Sequence, residues 1–366
     1  MVTLEDLLRT MVDKGGSDLH LTAGSPPRIR VDGELLPLEM EKLVPESSQQ
    51  LVYSILNNEQ IAKFEKNLEL DLSFGISGLG RFRVNVFQQR GAVGAVMRII
   101  PWEVHTAKEL GLPQRLVEQL CMMPKGLILI TGATGSGKST TLAAMMDYIN
   151  NTRNAHIITI EDPIEFVHKN KKCLFNQREV GTDTHAFPAA LRSVLREDPD
   201  VILIGEMRDM ETIESALTLA ETGHLVFGTL HTSDCVQTIN RIIDVFPAHQ
   251  QPQIRTQLSF TLQAVFCQQL LPRASGKGRV LSAEIMVATA AIRALIRDDK
   301  AHQMYSIIQT GGSQGMKTMN ASLSELYKAG HVTFEEALGH SSDIDDLKRM
   351  MQWQADGSRS AGALQR

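Results

Sequence analysis

Apolar residues change their spacing twice along this chain. Leu4, Leu7, Leu8 and Met11 recur at three- and four-residue intervals behind Thr3, with Asp6 three residues on, and so predict a short capped amphipathic helix. From Leu19 to about Ile100 the period falls towards two. Leu68, Leu70, Leu72 and Phe74 alternate with polar residues, as do Phe82, Val84 and Val86. Turn signals at Gly15-Gly16, Asp32-Gly33 and Gly78 to Gly80 separate these runs. Residues 1–100 therefore read as a small α+β domain. Pro101, Pro113 and Pro124 punctuate a connector, 101–124. Beyond it, residues 125–351 carry short continuous apolar runs, Leu127–Thr131, Ile157–Ile160, Val201–Ile204 and Leu225–Leu230, the mark of strands buried on both faces. Helical stripes lie between them: Leu191, Val194 and Leu195; Ile213, Ala216, Leu217 and Ala220; Val236, Ile239, Ile243 and Phe246. The alternation predicts an α/β fold with a doubly wound sheet. A hairpin is expected around Ala274-Ser275-Gly276-Lys277-Gly278, mostly helical pattern from there to Met351, and a flexible tail over 352–366.

Composition narrows the class. With 43% apolar and 22% charged residues in 366, the chain is that of an ordinary globular protein large enough for two cores. A net charge of −5 argues against a nucleic-acid-binding surface. No transmembrane span and no signal pattern is evident, which points to the cytoplasm. Cys121, Cys173, Cys235 and Cys267 form no C-x-x-C pair. Structural zinc of the paired-cysteine kind and disulfides are therefore not expected, and all four read as buried or half-buried side chains.

The chemistry gathers at strand ends, where open α/β sheets bind ligands. Gly132-Ala133-Thr134-Gly135-Ser136-Gly137-Lys138-Ser139-Thr140 follows the first apolar run and opens a helix, the order of a Walker A phosphate loop. Its glycines let successive N–H groups turn towards one anion. Lys138 supplies a mobile charge for the β- and γ-phosphates of ATP, and the Ser139 hydroxyl can ligand Mg²⁺. Glu206 closes Val201–Ile204, with Gly205 where a Walker B aspartate usually stands, and is the candidate to orient or deprotonate the attacking water. Because that aspartate is missing, Glu161 and Glu165, in Glu161-Asp162-Pro163-Ile164-Glu165 after the second run, are further candidates for water or metal. His224 and His231 flank the fourth run. No further ligands at zinc spacing accompany them, so an imidazole reporting the γ-phosphate is the better use. Arg81, Arg83 and Arg98 lie on strands of the first domain. They can bring extra cation to the phosphates from the same chain or a neighbour, on the pattern of an arginine finger.

Taken together, Gly132–Ser139, Ile160–Glu165 with Asn176-Gln177-Arg178-Glu179, Val201–Asp209 and Thr222 to Thr232 resemble the four boxes of the secretion-ATPase superfamily, in family order. The ending Gly205-Glu206-Met207-Arg208-Asp209 is that family's own Walker B variant. Ser17-Asp18-Leu19-His20-Leu21 and Ala291-Ile292-Arg293-Ala294-Leu295-Ile296-Arg297 are similar to signatures of its type IV pilus retraction ATPases. The tetracysteine insertion of the assembly ATPases is absent. The resemblance implies a homohexamer of PAS-like N-terminal domains and RecA-like ATPase domains with a mostly helical C-terminal region. It also implies ATP and Mg²⁺ as ligands, and nucleotide held between the domains with Arg83 and Arg98, less securely Arg81, reaching it. The implied partner is a platform protein of the inner membrane, approached peripherally from the cytoplasm.

Three functions fit these residues. They are a motor for pilus retraction, a sibling motor for accessory retraction, secretion or DNA uptake, and a nucleotide-dependent scaffold with little turnover. A small-molecule P-loop kinase fits less well, since no acceptor-binding lid is evident.

Overall fold

A computed structural model describes residues 2–31, 33–100 and 104–351. They divide into two compact units: one holds the chain up to Ile100 together with Glu165–Val167, the other Val104–Ile164 and His168 onwards.

The first unit begins with α1 (Leu4–Asp13), capped as its sequence requires. Asp6 N–H donates to Thr3 Oγ1 at 3.2 Å and Thr3 N–H to Asp6 Oδ2 at 3.0 Å, while Leu4, Leu7, Leu8 and Met11 are buried. Next come β1 (Asp18–Leu21), β2 (Arg28–Val31), β3 (Glu34–Pro37), α2 (Pro45–Tyr53), α3 (Asn58–Asn67), β4 (Glu69–Ile76), β5 (Gly80–Gln89) and β6 (Ala92–Ile100). Among the described residues these strands make one antiparallel sheet in the order β3-β2-β1-β6-β5-β4. Period-two burial decides its faces: Phe82, Val84 and Val86 point into the core with Leu7, Leu8 and Met97, leaving Arg81 and Arg83 on the other side.

The second unit opens with α4 (Gln114–Cys121), inside the stretch expected to be a connector. The reason is Pro113, which sits at the helix N-cap and starts the helix instead of breaking structure; Val117, Leu120 and Cys121 then bury against the core. There follow β7 (Gly126–Thr131), α5 (Lys138–Thr152), β8 (His156–Glu161), β9 (Leu174–Glu179), α6 (Phe187–Val194), β10 (Val201–Ile204), α7 (Met210–Glu221), β11 (Leu225–Leu230), α8 (Cys235–Asp244), α9 (Gln251–Thr261), β12 (Leu262–Pro272), β13 (Arg279–Val287), α10 (Ala290–Arg297), α11 (Met304–Thr310), α12 (Met319–Lys328) and α13 (Phe334–Gly339).

The strands form a mixed sheet, β13-β12-β7-β11-β10-β8-β9, parallel except for β13, which returns from β12 as the expected hairpin. β7, β10 and β11 are buried along their whole length, and each fully buried Leu, Ile or Val contributes about 1.5–3 kcal/mol. A core lies on each face of this sheet, one with α7 to α10 and the other with α4 and α5. α12 and α13 pack in a satellite cluster with Leu271. The four cysteines are buried and free, and burial pushes the Cys121 and Cys267 thiols up to about 12. The tail over 352–366 lies outside the described residues, as do Asp32 of the Asp32-Gly33 turn and Pro101 of the connector. No helix among the described residues is long and apolar enough to cross a membrane.

Candidate active site

The four runs read as strands are neighbours, β7-β11-β10-β8, and run in parallel, so their carboxyl ends share one edge of the sheet. β7 delivers the phosphate loop there. Gly132 (φ +136°), Gly135 (φ +78°) and Gly137 (φ +93°) occupy backbone conformations that side chains resist. A Cβ on Gly132 would also lie 2.6 Å from Ser136 Oγ and collide with the Gln268 carbonyl oxygen. Ala133, Thr134 and Gly135 are exposed, whereas Ser136 is buried and its Oγ has no hydrogen-bond partner. Lys138 Nζ folds back over the loop, donating to Gly132 O at 2.8 Å and Ala133 O at 3.0 Å. Ser139 and Thr140 follow in the first turn of α5, half-buried. A buried hydroxyl without a partner, a folded-back ammonium and a helix start form a cradle that fits a polyphosphate. The Ser139 hydroxyl offers a hard oxygen of the kind Mg²⁺ takes. β12 supports the loop from behind, where Gln268 Nε2 donates to Thr141 Oγ1 at 2.8 Å, both buried.

β10 and β11 deliver the acid and the imidazole. His231 Nε2 lies 2.8 Å from Glu206 Oε1, and the same oxygen accepts from Arg208 Nε. The Glu206 side chain is only 20% exposed, so this carboxylate is shielded while the Arg208 guanidinium spreads into solvent. Thr229 Oγ1 donates to Gly205 O at 2.5 Å and Met207 N–H to Thr229 O at 3.0 Å, locking the two strand ends together. Arg208 carried no role in the sequence reading. The available signal was its place two residues after Glu206.

β8 ends in Glu161, which is half-buried and accepts from Thr159 Oγ1 at 2.6 Å and Gln177 Nε2 at 3.2 Å. Glu179 is structural: nearly fully buried, it accepts the Ile164 N–H at 3.2 Å and holds the Asp162-Pro163-Ile164 turn, whose Asp162–Pro163 bond is cis. Glu165 is exposed and packs with the first unit.

One expectation is corrected. His224 precedes β11 and lies at the amino edge of the sheet, six residues of strand, roughly 20 Å, from the end where His231 stands. Its Nδ1 donates to the Leu219 carbonyl at 3.0 Å and it closes the end of α7. A parallel strand cannot present both of its ends to one ligand. His224 is therefore a helix-closing residue and no part of the nucleotide cradle of its own chain.

In the first unit, Arg83 on β5 stands directly opposite Arg98 on β6. Like charges in that position repel, and here one is compensated: Arg98 Nε donates to Oδ1 of the buried Asp18 at 2.7 Å. Arg83 is exposed, while Arg81 Nη2 donates to Ser73 Oγ at 2.6 Å. The pair is a cationic surface suited to an anion.

A phosphate loop with a shielded glutamate and an imidazole on neighbouring strand ends defines a P-loop nucleotide hydrolase. Known proteins agree. The family described as Type II/IV secretion system protein matches residues 2–339. The type IV pilus retraction ATPase PilT of Pseudomonas aeruginosa is 54% identical over 334 residues, 91% of this chain and 96% of the relative. A twitching motility protein of Neisseria gonorrhoeae is 49% identical, over 93% of this chain and 91% of the relative. A crystal structure of the pilus retraction motor PilT with bound ADP superposes with a TM-score of 0.90 at 52% identity, covering 95% of this chain and 100% of that one. The chain belongs to the Type II/IV secretion system family, and it is an ATP hydrolase of that kind.

Proposed function

We propose that this protein is a cytoplasmic motor ATPase that works as a homohexamer and couples ATP hydrolysis to type IV pilus retraction. The observation that carries the reading is the Glu206–His231 pair on the edge that bears the phosphate loop, in a chain 54% identical to a pilus retraction ATPase. ATP phosphates lie on the loop amides, with Lys138 leaving its carbonyl contacts to meet the β- and γ-oxygens. Glu206 orients the attacking water and accepts its proton, a role that generally supplies about 10²–10⁴ in rate. His231, bonded to that carboxylate, senses whether the γ-phosphate is present. Mg²⁺ would be held by Ser139, with Glu161 or Glu165 as candidate carboxylate partners, and would neutralise phosphate charge.

The first unit is read as PAS-like and the second as RecA-like. Arg83 and Arg98, with Arg81 beside them, would approach the phosphates of their own or a neighbouring subunit. Closing and opening around ATP would then turn the ring against a platform protein of the inner membrane, to which the motor attaches peripherally. The test is a Lys138→Ala replacement in the cell of origin. Excess surface pili with no twitching are expected, and normal twitching would refute the reading unless a second motor substitutes, which a double deletion resolves.

A further inference from the structure

Asp18 is a buried carboxylate on the sheet face that turns away from the first unit's apolar core. It stands on β1, directly opposite Arg30 of β2 on one side and Arg98 of β6 on the other. Arg98 in turn stands opposite Arg83 of β5. One row across four strands thus carries three arginines and one acid, while Leu19, Met97 and Phe82 take the core face. The Asp18 side chain is 3% exposed, that of Arg98 69%. Asp18 Oδ1 accepts from Arg98 Nε at 2.7 Å, and Oδ2 accepts from the Ser17 hydroxyl at 2.7 Å. Arg30 is turned elsewhere, its Nη1 donating to the Gly33 carbonyl at 2.7 Å. His20, the next residue of β1 on this face, adds no cation to the row. Burial first, and then Arg30 and Arg98, hold its imidazole below the ordinary value, against the pull of Asp18.

A carboxylate taken out of water is costly unless it is paired. Here the pairing uses a single corner of the guanidinium. Arginine carries one N–H on Nε and four on its two Nη groups, all in one rigid plane. Anchoring Nε fixes that plane. Both Nη groups of Arg98 bond nothing else among the described residues and stay available to an anion. Without the anchor, Arg83 would push Arg98 aside, since like charges directly opposite on paired strands repel.

We infer that Asp18 is a positioning residue that grips Arg98 by Nε, so that both Nη groups are presented, beside Arg83, to the phosphates of ATP. This rests on the reading of Arg98 as an arm that reaches the nucleotide. It gives the Ser17-Asp18 start of the first unit's signature a task in the ATPase reaction, with Ser17 securing the second oxygen of the acid.

The full-length protein should be assayed for steady-state ATP hydrolysis as Asp18→Ala, as Arg98→Ala and as the double variant, with melting temperatures to certify that each is folded. Asp18→Ala should lower kcat on the order of 10–100-fold, the scale of a misplaced catalytic group. Adding it to Arg98→Ala should cost less than about threefold more, because the group it positions is gone. A contact that only ties β1 to β6 would leave kcat of the folded protein unchanged, or would lower it equally in both backgrounds; either result overturns the inference. Parental turnover in Arg98→Ala refutes the reading of Arg98 itself, and the inference with it. Arg98→Lys gives a second route should Asp18→Ala not fold, since it keeps the acid paired. Lysine has one charged nitrogen, which Asp18 would hold, leaving no donor to project. Its kcat should therefore fall to within about threefold of that of Arg98→Ala, and parental kcat in Arg98→Lys overturns the inference.

Discussion

Replacing Glu206 by alanine takes away the acceptor for both His231 Nε2 and Arg208 Nε. The effect on folding is small, because the Arg208 side chain is 76% exposed and its guanidinium rehydrates freely; exposed pairs of this kind contribute about 0–1 kcal/mol. The effect on binding is also small. In the proposed mechanism phosphates are held by the loop after β7 and by Lys138, on a different element from the carboxylate. Taking one negative charge out of a site for a polyanion weakens no attraction. The chemical step is another matter. Among the described residues no other carboxylate bonds His231, and Glu161 is already engaged by Thr159 and Gln177 at the end of β8. Losing a general base of this sort costs about 10²–10⁴ in kcat, roughly 2.7–5.5 kcal/mol of barrier.

Steady-state phosphate release and the affinity of a fluorescent ATP analogue separate the terms. The expected outcome is a melting temperature within a few degrees of the parent, an analogue affinity within about threefold, and turnover near background. Turnover within about threefold of the parent would refute the assignment and move the water-activating role to Glu165. A large loss of affinity would mean instead that Glu206 serves to build the cradle.

Two further perturbations bear on other parts of the molecule. Arg83→Ala and Arg98→Ala should each impair hydrolysis; mixing either with Glu206→Ala subunits and recovering activity would show that the arginines act across a subunit boundary, and no loss in either single variant would remove them from the mechanism. His168, stacked on Phe175 with ring centroids 4.5 Å apart, is held down by burial from 6.5 to about 4, against the pull of Asp147. It folds neutral while the unfolded chain takes up a proton below 6.5, so the stability it secures is complete above that value and is lost as pH falls towards 4, at most about 3 kcal/mol. Denaturant midpoints between pH 7 and pH 4.5 should fall less steeply for His168→Phe, which keeps the stack; parallel curves would refute this.

The parts legible in the sequence are those whose physics is local. β7, β10 and β11 are buried on both faces and appear as unbroken apolar runs, and the phosphate loop announces itself by glycine spacing. β9 was not legible: it is the edge of the sheet, and among Leu174–Glu179 only Phe175 and Glu179 turn inward, so neither an apolar run nor alternation marks it. β12 follows α9 without a break, Thr261 to Leu262, and no turn residue signals the change. Pro113 looked like punctuation because a helix N-cap and a loop use proline alike. His224 and His231 look equivalent in sequence, although the parallel order already inferred for β11 would have separated them. Glu284, buried on β13, was invisible, since its partner Cys235 lies at the start of α8, far along the chain.

Gly205 ties the readable and unreadable parts together. In sequence it is a missing aspartate; in the structure it is a close approach. A Cβ there would lie 3.1 Å from Glu161 Cα and 3.1 Å from Ile160 O, and Gly205 N–H donates to that same oxygen at 2.8 Å. An aspartate there would need the end of β8 to give by a few tenths of an ångström. The glycine thus lets the end of β8 close on the end of β10 and sets Glu161 beside the segment that carries Glu206. The neighbouring strand end carries a carboxylate, Glu161, and the same close contact that crowds an aspartate at 205 keeps the two strand ends together. The departure from the common Walker B pattern thus goes with close packing of the two strand ends, and Gly205 and Glu161 have to be considered as one unit.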